Sequence, residues 1–259
     1  MILLPGPVNM RGKIFNFQRY AIHDGLGIRS VLFLYGCSLK CAWCCNPESF
    51  IPDNKFIREV EIEEVIPWLL EDKPYFLNSG GGLTLSGGEP LLQPEFAGVL
   101  LKECRGHGIG TAIETCGEVP WSNFEAVKGL VDYYLYDIKH LDPDLHNTYT
   151  GSGNSGILQN LKRLSLDKAK IYLRVPLVPG YNMDEKQAHK IAELAGDISA
   201  EGINLLPYHR FGEDKYARLG INYAPAGKIS IIPEADRKHK VLEFAGLIRL
   251  HYSKVVIGG

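Results

Sequence analysis

Three cysteines stand at C-x3-C-x2-C spacing in the segment Gly36-Cys37-Ser38-Leu39-Lys40-Cys41-Ala42-Trp43-Cys44. Soft thiolates this close along a chain can wrap one polynuclear metal centre. A closed zinc or iron–sulfur site usually takes four protein ligands, so three leave one metal position for something else. An iron with that open position can chelate the amino and carboxylate groups of a methionine-type ligand and set its sulfonium beside a reducible cluster, where electron transfer breaks a carbon–sulfur bond homolytically. The competing reading is a zinc knuckle with Cys45 as fourth ligand. Adjacent Cys44 and Cys45 suit one tetrahedral ion poorly, and no second C-x2-C pair exists, so Cys45 is read as a neighbour of the centre. The other two of the six cysteines, Cys104 in a helical pattern and Cys116 just past a strand, read as buried small hydrophobes.

Further signals carry a bland reading beside the chemical one. Asp137 and Lys139, two apart on a strand, face the same side and could form a structural ion pair at a barrel rim. Arg174 has apolar neighbours on its strand, so an inward guanidinium there needs an anion or carbonyl partner, in a site or in a structural salt bridge. Gly151-Ser152-Gly153-Asn154-Ser155-Gly156 spells G-x-G-x-x-G but follows the polar segment Asp142–Thr150 rather than a strand, which argues against dinucleotide binding and for a substrate-side loop. Gly80-Gly81-Gly82 and Gly87-Gly88 lack the Gly-Lys-Ser/Thr of a P-loop. His23, His107, His140, His146, His189, His239 and His251 show no metal spacing and read as surface or core. The charges from Glu59 to Glu64 read as a solvated helix face.

The elements that must position these groups alternate. β-rich segments at Val31–Tyr35, Leu83–Ser86, Thr111–Glu114, Tyr133–Ile138, Lys170–Val178, Gly202–Leu206 and Val255–Ile257 are separated by apolar spacing near 3.6 in Ile62–Asp72, Glu95–His107, Ile157–Asp167, Asp184–Ser199 and Ala235–His251. Pro67 is expected to kink the first of these helices. The pattern predicts parallel β/α units in one barrel, complete or partial, with chemistry at the C-terminal ends of the strands. The unusual residues fall there: Cys37–Cys44, Gly87-Gly88-Glu89-Pro90, Glu114-Thr115, Asp137 with Lys139, and Tyr208-His209. The 259 residues are 45% hydrophobic and 22% charged, ordinary for a globular chain with a sizeable core. Lys plus Arg total 28 against 30 Asp plus Glu, and no basic block marks nucleic acid or an anionic membrane as partner. The Met1–Leu4 run, broken by Pro5 and Pro7, is too short for a signal-peptide core and no apolar stretch spans a membrane, so a cytoplasmic protein is expected.

With these residues in view, the chain resembles the radical S-adenosylmethionine superfamily, and within it the glycyl-radical-enzyme activating enzymes. The cysteine loop followed by Asn46-Pro47-Glu48 is one mark. Asp24-Gly25-Leu26-Gly27-Ile28-Arg29, Ser86-Gly87-Gly88-Glu89-Pro90, Asp137-Ile138-Lys139, Arg174–Gly180 and Leu205–His209 are similar to further family motifs, in the family's order. The resemblance implies an α/β fold, a partial (β/α)6 TIM barrel, over residues 1–259 as a single domain. Ser49–Ser79 contains no cysteine, so no ferredoxin-like insert and one cluster per chain are expected.

By resemblance, Cys37, Cys41 and Cys44 hold a 4Fe-4S cluster, with Trp43 and Cys45 against the cofactor. Gly88 and Glu89 bind the methionine amino group of S-adenosylmethionine through the main chain, and Asp137, Ile138 and Lys139 flank its methionine moiety. His209 contacts the ribose. Glu114 and Thr115, with Asp137, lie where a monovalent cation is held. Asp24 and Arg174 grip the backbone of the protein substrate's glycine loop. The implied reaction is cleavage of S-adenosylmethionine to methionine and a 5'-deoxyadenosyl radical that takes a hydrogen from a glycine Cα of a partner enzyme, with flavodoxin or ferredoxin as electron donor and a monomeric activase. The alternative is a radical enzyme acting on a small molecule or nucleobase. Leu26, Tyr35 and Cys45 depart from the proline, glutamine and small residue or histidine usual at those positions.

Overall fold

The computed structural model describes residues 10–223 and 234–258, with the side chains of 234 and 235 left aside. In chain order its elements are β1 (Arg11–Ala21), β2 (Arg29–Leu34), β3 (Arg58–Glu61), α1 (Ile62–Ser79), β4 (Gly82–Gly87), α2 (Pro94–Gly106), β5 (Gly110–Thr115), α3 (Trp121–Glu125), β6 (Tyr133–Asp137), α4 (Pro143–Thr150), α5 (Ser155–Leu166), β7 (Ile171–Leu177), α6 (Glu185–Asp197), β8 (Gly202–Pro207), α7 (Glu213–Arg218), α8 (Glu234–Arg249) and β9 (Val255–Ile257). They form one nine-stranded sheet in the order β3-β1-β2-β4-β5-β6-β7-β8-β9. Every pairing from β2 to β9 is parallel, whereas β1 runs antiparallel to both neighbours. The sheet has two ends, β3 and β9, and is therefore an open, partial barrel. No helix among the described residues is long and apolar enough to cross a membrane.

Strand alternation divides the side chains between two environments. Leu32, Leu34, Leu83, Leu85, Ile113, Tyr134, Tyr136, Leu173, Val175, Ile203 and Leu205 join Leu69, Phe76, Leu100, Phe124, Leu161, Ile191, Phe244 and Ile248 in the main core. Burying each such side chain contributes about 1.5–3 kcal/mol, so this layer dominates the fold's stability. The intervening strand positions point the other way: Ala112, Tyr133 and Leu135 pack with Tyr172 as a separate apolar cluster, while polar Ser86, Glu114, Asp137 and Arg174 face a cavity.

Three expectations change. β1 and β3 were not visible as strands because register shifts between Ile14 and Asn16 and between Gln18 and Ala21 break the period of two in β1. The acidic run Glu59–Glu64 is not one solvated helix face. Glu59 and Glu61 lie in β3, Glu61 accepts from Arg11 at 2.7 Å, and its N–H donates to Glu64 in a capping box at the start of α1. That helix continues past Asp72 to Ser79. The polar segment after Asp142 is helix α4, started by the Asp142 carboxylate accepting from Asp144 and Leu145 N–H at 3.1 Å and by Pro143 in the first turn.

Candidate active site

A cavity of about 560 Å³ opens at the C-terminal ends of the parallel strands and collects groups from β1 to α7. Cys37, Cys41, Trp43, Cys44, Cys45, Gly88, Glu114, Asp137, Lys139, Arg174 and His209 all line it, as does Asp24 from the loop between β1 and β2. That loop is held from below. Arg29, buried at the start of β2, donates to Thr84 Oγ1 at 2.6 Å and to the Leu83 and Leu26 carbonyls at 2.5 and 3.2 Å. The Thr84 hydroxyl in turn donates to the Asp24 carbonyl at 2.7 Å.

The cysteine loop follows β2 directly. Gly88 N–H donates to Leu34 O and Glu89 N–H to Gly36 O, at 3.1 and 2.8 Å, so the turn after β4 is stitched to the residues just before Cys37. A Cβ on Gly88 would sit 2.0 Å from Gly36 O and 2.8 Å from Cys37 Cβ, which is why this position carries glycine. Burial raises the Cys41 and Cys44 thiols and pushes Cys37 up to about 12. Main-chain N–H groups work against it: Asn46 N–H donates to Cys44 Sγ at 3.3 Å, and a backbone hydrogen bond at Leu39 favours the Cys37 thiolate. Thiolates in so dry a place need a nearby positive centre, and metal ions supply one. Among the described residues no three His, Cys, Asp or Glu side chains are grouped as for a single ion. Donor chemistry and surroundings fit a larger metal–sulfur unit held by Cys37, Cys41 and Cys44.

Opposite the thiols lies a charged wall. Lys139 Nζ donates to Asp137 Oδ2 at 2.8 Å with both side chains largely buried. Burial alone would lower the lysine, but the adjacent Asp137 carboxylate offsets it and the pKa is raised, so the ammonium stays charged. The structural pairing expected as a bland alternative is thus present, and both members still face the cavity. Arg174, deeper on β7, forms an ion pair with Glu114 through Nη1 at 3.4 Å, yet neither Nε nor Nη1 has a hydrogen-bond partner. Burial raises the Glu114 carboxyl, against the pull of Arg174, and Ser86 donates to it at 2.7 Å. His209 follows β8, stacks on Phe211 at 4.4 Å between ring centroids, and is lowered by burial and by Lys215.

Three expected residues keep their side chains out of the cavity. Ile138 belongs to the main core. The fully buried Glu89 carboxylate accepts from Thr115 Oγ1, Cys116 N–H and Leu91 N–H at 2.8–3.1 Å, tying the ends of β4 and β5 together, so Thr115 is committed to Glu89. Nor does the Gly151–Gly156 segment line the cavity, contrary to the expected substrate-side loop. Lining residues that sequence reasoning missed include Asn16 and Gln18 on β1, Cys116, and Lys215, whose Nζ donates to Asn46 Oδ1 at 2.8 Å and pairs with Glu48 at 3.3 Å. The period-two spacing of Asn16 and Gln18 was a usable signal; nothing local marked Lys215.

The profile of the Radical SAM superfamily matches residues 31–192. The chain is 36% identical to the (2S)-3-sulfopropanediol dehydratase activating enzyme of Klebsiella oxytoca, covering 82% of this chain and 86% of that one. It is 39% identical to the pyruvate formate-lyase-activating enzyme of Clostridium pasteurianum, over 90% and 95% of the two chains. A solved domain of the pyruvate-formate lyase-activating enzyme of Bacteroides vulgatus superposes with a TM-score of 0.55 at 31% identity, covering 69% of this chain and 99% of that one. A radical SAM methyltransferase from Sphaerobacter thermophilus shares the fold, with a TM-score of 0.63 at 15% identity over 88% and 66% of the chains. Membership implies a 4Fe-4S cluster and S-adenosylmethionine. Motif order, open parallel barrel, cysteine-lined cavity and relatives agree: the chain belongs to the radical SAM superfamily and, within it, to the glycyl-radical-enzyme activating enzymes.

Proposed function

We propose that this chain, as a single radical SAM domain, generates the glycyl radical of a partner enzyme, and that Cys37, Cys41 and Cys44 hold its one 4Fe-4S cluster. The observation that carries the reading is the convergence of three thiols, the Lys139 ammonium and the Arg174 guanidinium, whose Nε and Nη1 make no hydrogen bond, on one cavity. When bound and reduced, the cluster supplies the electron that splits S-adenosylmethionine into methionine and a 5'-deoxyadenosyl radical, which takes a hydrogen from a glycine Cα of the partner. Lys139, kept cationic by Asp137, offers its ammonium to the methionine carboxylate. The main chain at Gly88 and Glu89 receives the amino group, in a turn too tight for any side chain at Gly88. Trp43 and Cys45 pack against the cofactor, Ile138 fixes the strand end behind Lys139, and His209 contacts the ribose. Arg174 gives Nε and Nη1 to carbonyl oxygens of an extended glycine segment, and Asp24 receives its N–H groups. Glu114 and Asp137, with Thr115 behind them, concentrate negative charge suited to a monovalent cation. The partner's glycine loop must leave its own fold to reach Arg174, so docking is coupled to local opening of the partner. A monomer in the cytoplasm, reduced by flavodoxin or ferredoxin, completes the reading.

The test is anaerobic reconstitution, reduction, and incubation with S-adenosylmethionine and a panel of candidate glycyl radical enzymes, read by EPR and by 5'-deoxyadenosine formation. A glycyl radical signal in one partner, equimolar with the nucleoside, is expected. Nucleoside release with every partner EPR-silent overturns the activase assignment while leaving the cluster.

A further inference from the structure

The segment between Cys37 and Cys44 is held from outside the cavity by a helix end. Helix α4 stops at Gly151, whose φ of +81° suits glycine, and its last carbonyls would be orphaned there. Two of them find partners in the cysteine loop. Lys40 N–H donates to Thr150 O at 2.8 Å and Ala42 N–H donates to Tyr149 O at 2.9 Å. These amides flank Cys41, so the carbonyl pair fixes that cysteine from both sides. The Tyr149 ring adds to the grip, lying 4.1 Å from Tyr181, which is itself 4.6 Å from Trp43, between ring centroids.

One side chain sets the turn that presents those carbonyls. His146, 1% exposed, brings Nδ1 to 2.6 Å from Ser152 O and 3.0 Å from Thr150 Oγ1. A carbonyl only accepts, so the ring must carry its proton on Nδ1. Burial lowers its pKa, which keeps this neutral tautomer. The Thr150 hydroxyl donates back to the His146 carbonyl at 2.8 Å, and Ser152 Oγ donates to Glu118 at 3.0 Å, closing the turn. The glycine-rich stretch thus serves the cysteine loop by shaping the far side of its support. His146 touches neither the cavity nor the thiols.

We infer that His146 is a positioning residue for the cysteine loop: through Thr150 and Ser152 it sets the carbonyls that hold Lys40 and Ala42, and so the placement of Cys41. This rests on the reading that the three thiols hold a cluster. The test compares the parent, His146→Phe, which keeps the ring volume without a donor, and His146→Asn, whose side-chain N–H can replace Nδ1–H. Each is reconstituted anaerobically and challenged with an iron chelator, and the reduced cluster's EPR line shape is recorded without S-adenosylmethionine. Outer-shell hydrogen bonds typically change metal affinity 10–100-fold, so His146→Phe is expected to lose iron about tenfold faster, with a broadened or split signal. His146→Asn is expected to stay within about twofold of the parent, a rescue that follows from the restored donor. Should His146→Phe fail to fold, Thr150→Val, which removes the hydroxyl that closes the turn, is expected to show the same loss. Parent-like chelation and EPR in the folded donor-less variant, or no rescue by Asn, overturns the inference. A parent that binds no cluster instead overturns the functional reading on which it stands.

Discussion

Replacing Gly88 by alanine adds one methyl group where two loops touch. The new Cβ would lie 2.0 Å from Gly36 O and 2.8 Å from Cys37 Cβ. A carbon needs about 3.3 Å from a carbonyl oxygen, so Gly36 O must retreat by about 1.3 Å, and the obstacle is backbone rather than a flexible side chain. That retreat stretches the bond from Glu89 N–H, now 2.8 Å, and drags Cys37, the next residue. Overpacking costs about 1–3 kcal/mol and a weakened main-chain hydrogen bond about 1 more, a sum of roughly 2–4 kcal/mol. At about 2–4 °C per kcal/mol for a domain of this size, the apoprotein should melt about 5–15 °C lower. Circular dichroism of the apoprotein measures this, and iron titration during anaerobic reconstitution should show less cluster per chain. A Gly88→Ala protein melting within about 1 °C of the parent and loading the same iron would refute the proposed stitching of the turn to the cysteine loop.

Arg174→Leu should lower partner activation about ten- to hundredfold, since each buried charge-assisted hydrogen bond contributes about 1.5–3 kcal/mol, while partner-free 5'-deoxyadenosine release stays near the parent's. Equal losses in both assays would remove Arg174 from the peptide-gripping role. Arg29→Met leaves the Leu83 carbonyl and the Thr84 hydroxyl without their cation, and urea unfolding should show a loss of about 2–4 kcal/mol. His140, 4% exposed, accepts from Asp142 N–H through Nδ1, and burial lowers its pKa below the ordinary 6.5. The unfolded chain therefore binds the extra proton first. This residue's contribution is intact above pH 6.5 and lost as pH falls below it, at up to about 1.4 kcal/mol per pH unit. His140→Asn, which keeps an acceptor, should remove that part of the slope when denaturation is compared across pH; an unchanged slope would contradict it.

The cysteine spacing, the alternation of apolar strands and helices, and the clustering of unusual residues after strands were all legible in the sequence. Each is local: a ligand spacing, a period of two or 3.6, or a glycine at a tight turn acts within a few residues of itself. From them follow the parallel units, the thiol centre, and the cavity positions of Asp137, Lys139 and Arg174. Less local facts were hidden. β1 and β3 join the sheet through pairings that bulges disguise, and α4 forms in a polar segment because its cap and tertiary seat favour it. Glu89 and Thr115 turned to each other rather than to the cavity, since a buried carboxylate needs donors and β5 ends where it can supply them. Lys215 reaches Asn46 across 169 residues of sequence, and the end of α4 meets the amides on either side of Cys41 only once the barrel has curled. Spacing along the chain therefore singled out the three thiols. Which groups surround them was settled by closure of the fold, because hydrogen bonds and buried charges are satisfied by neighbours in space.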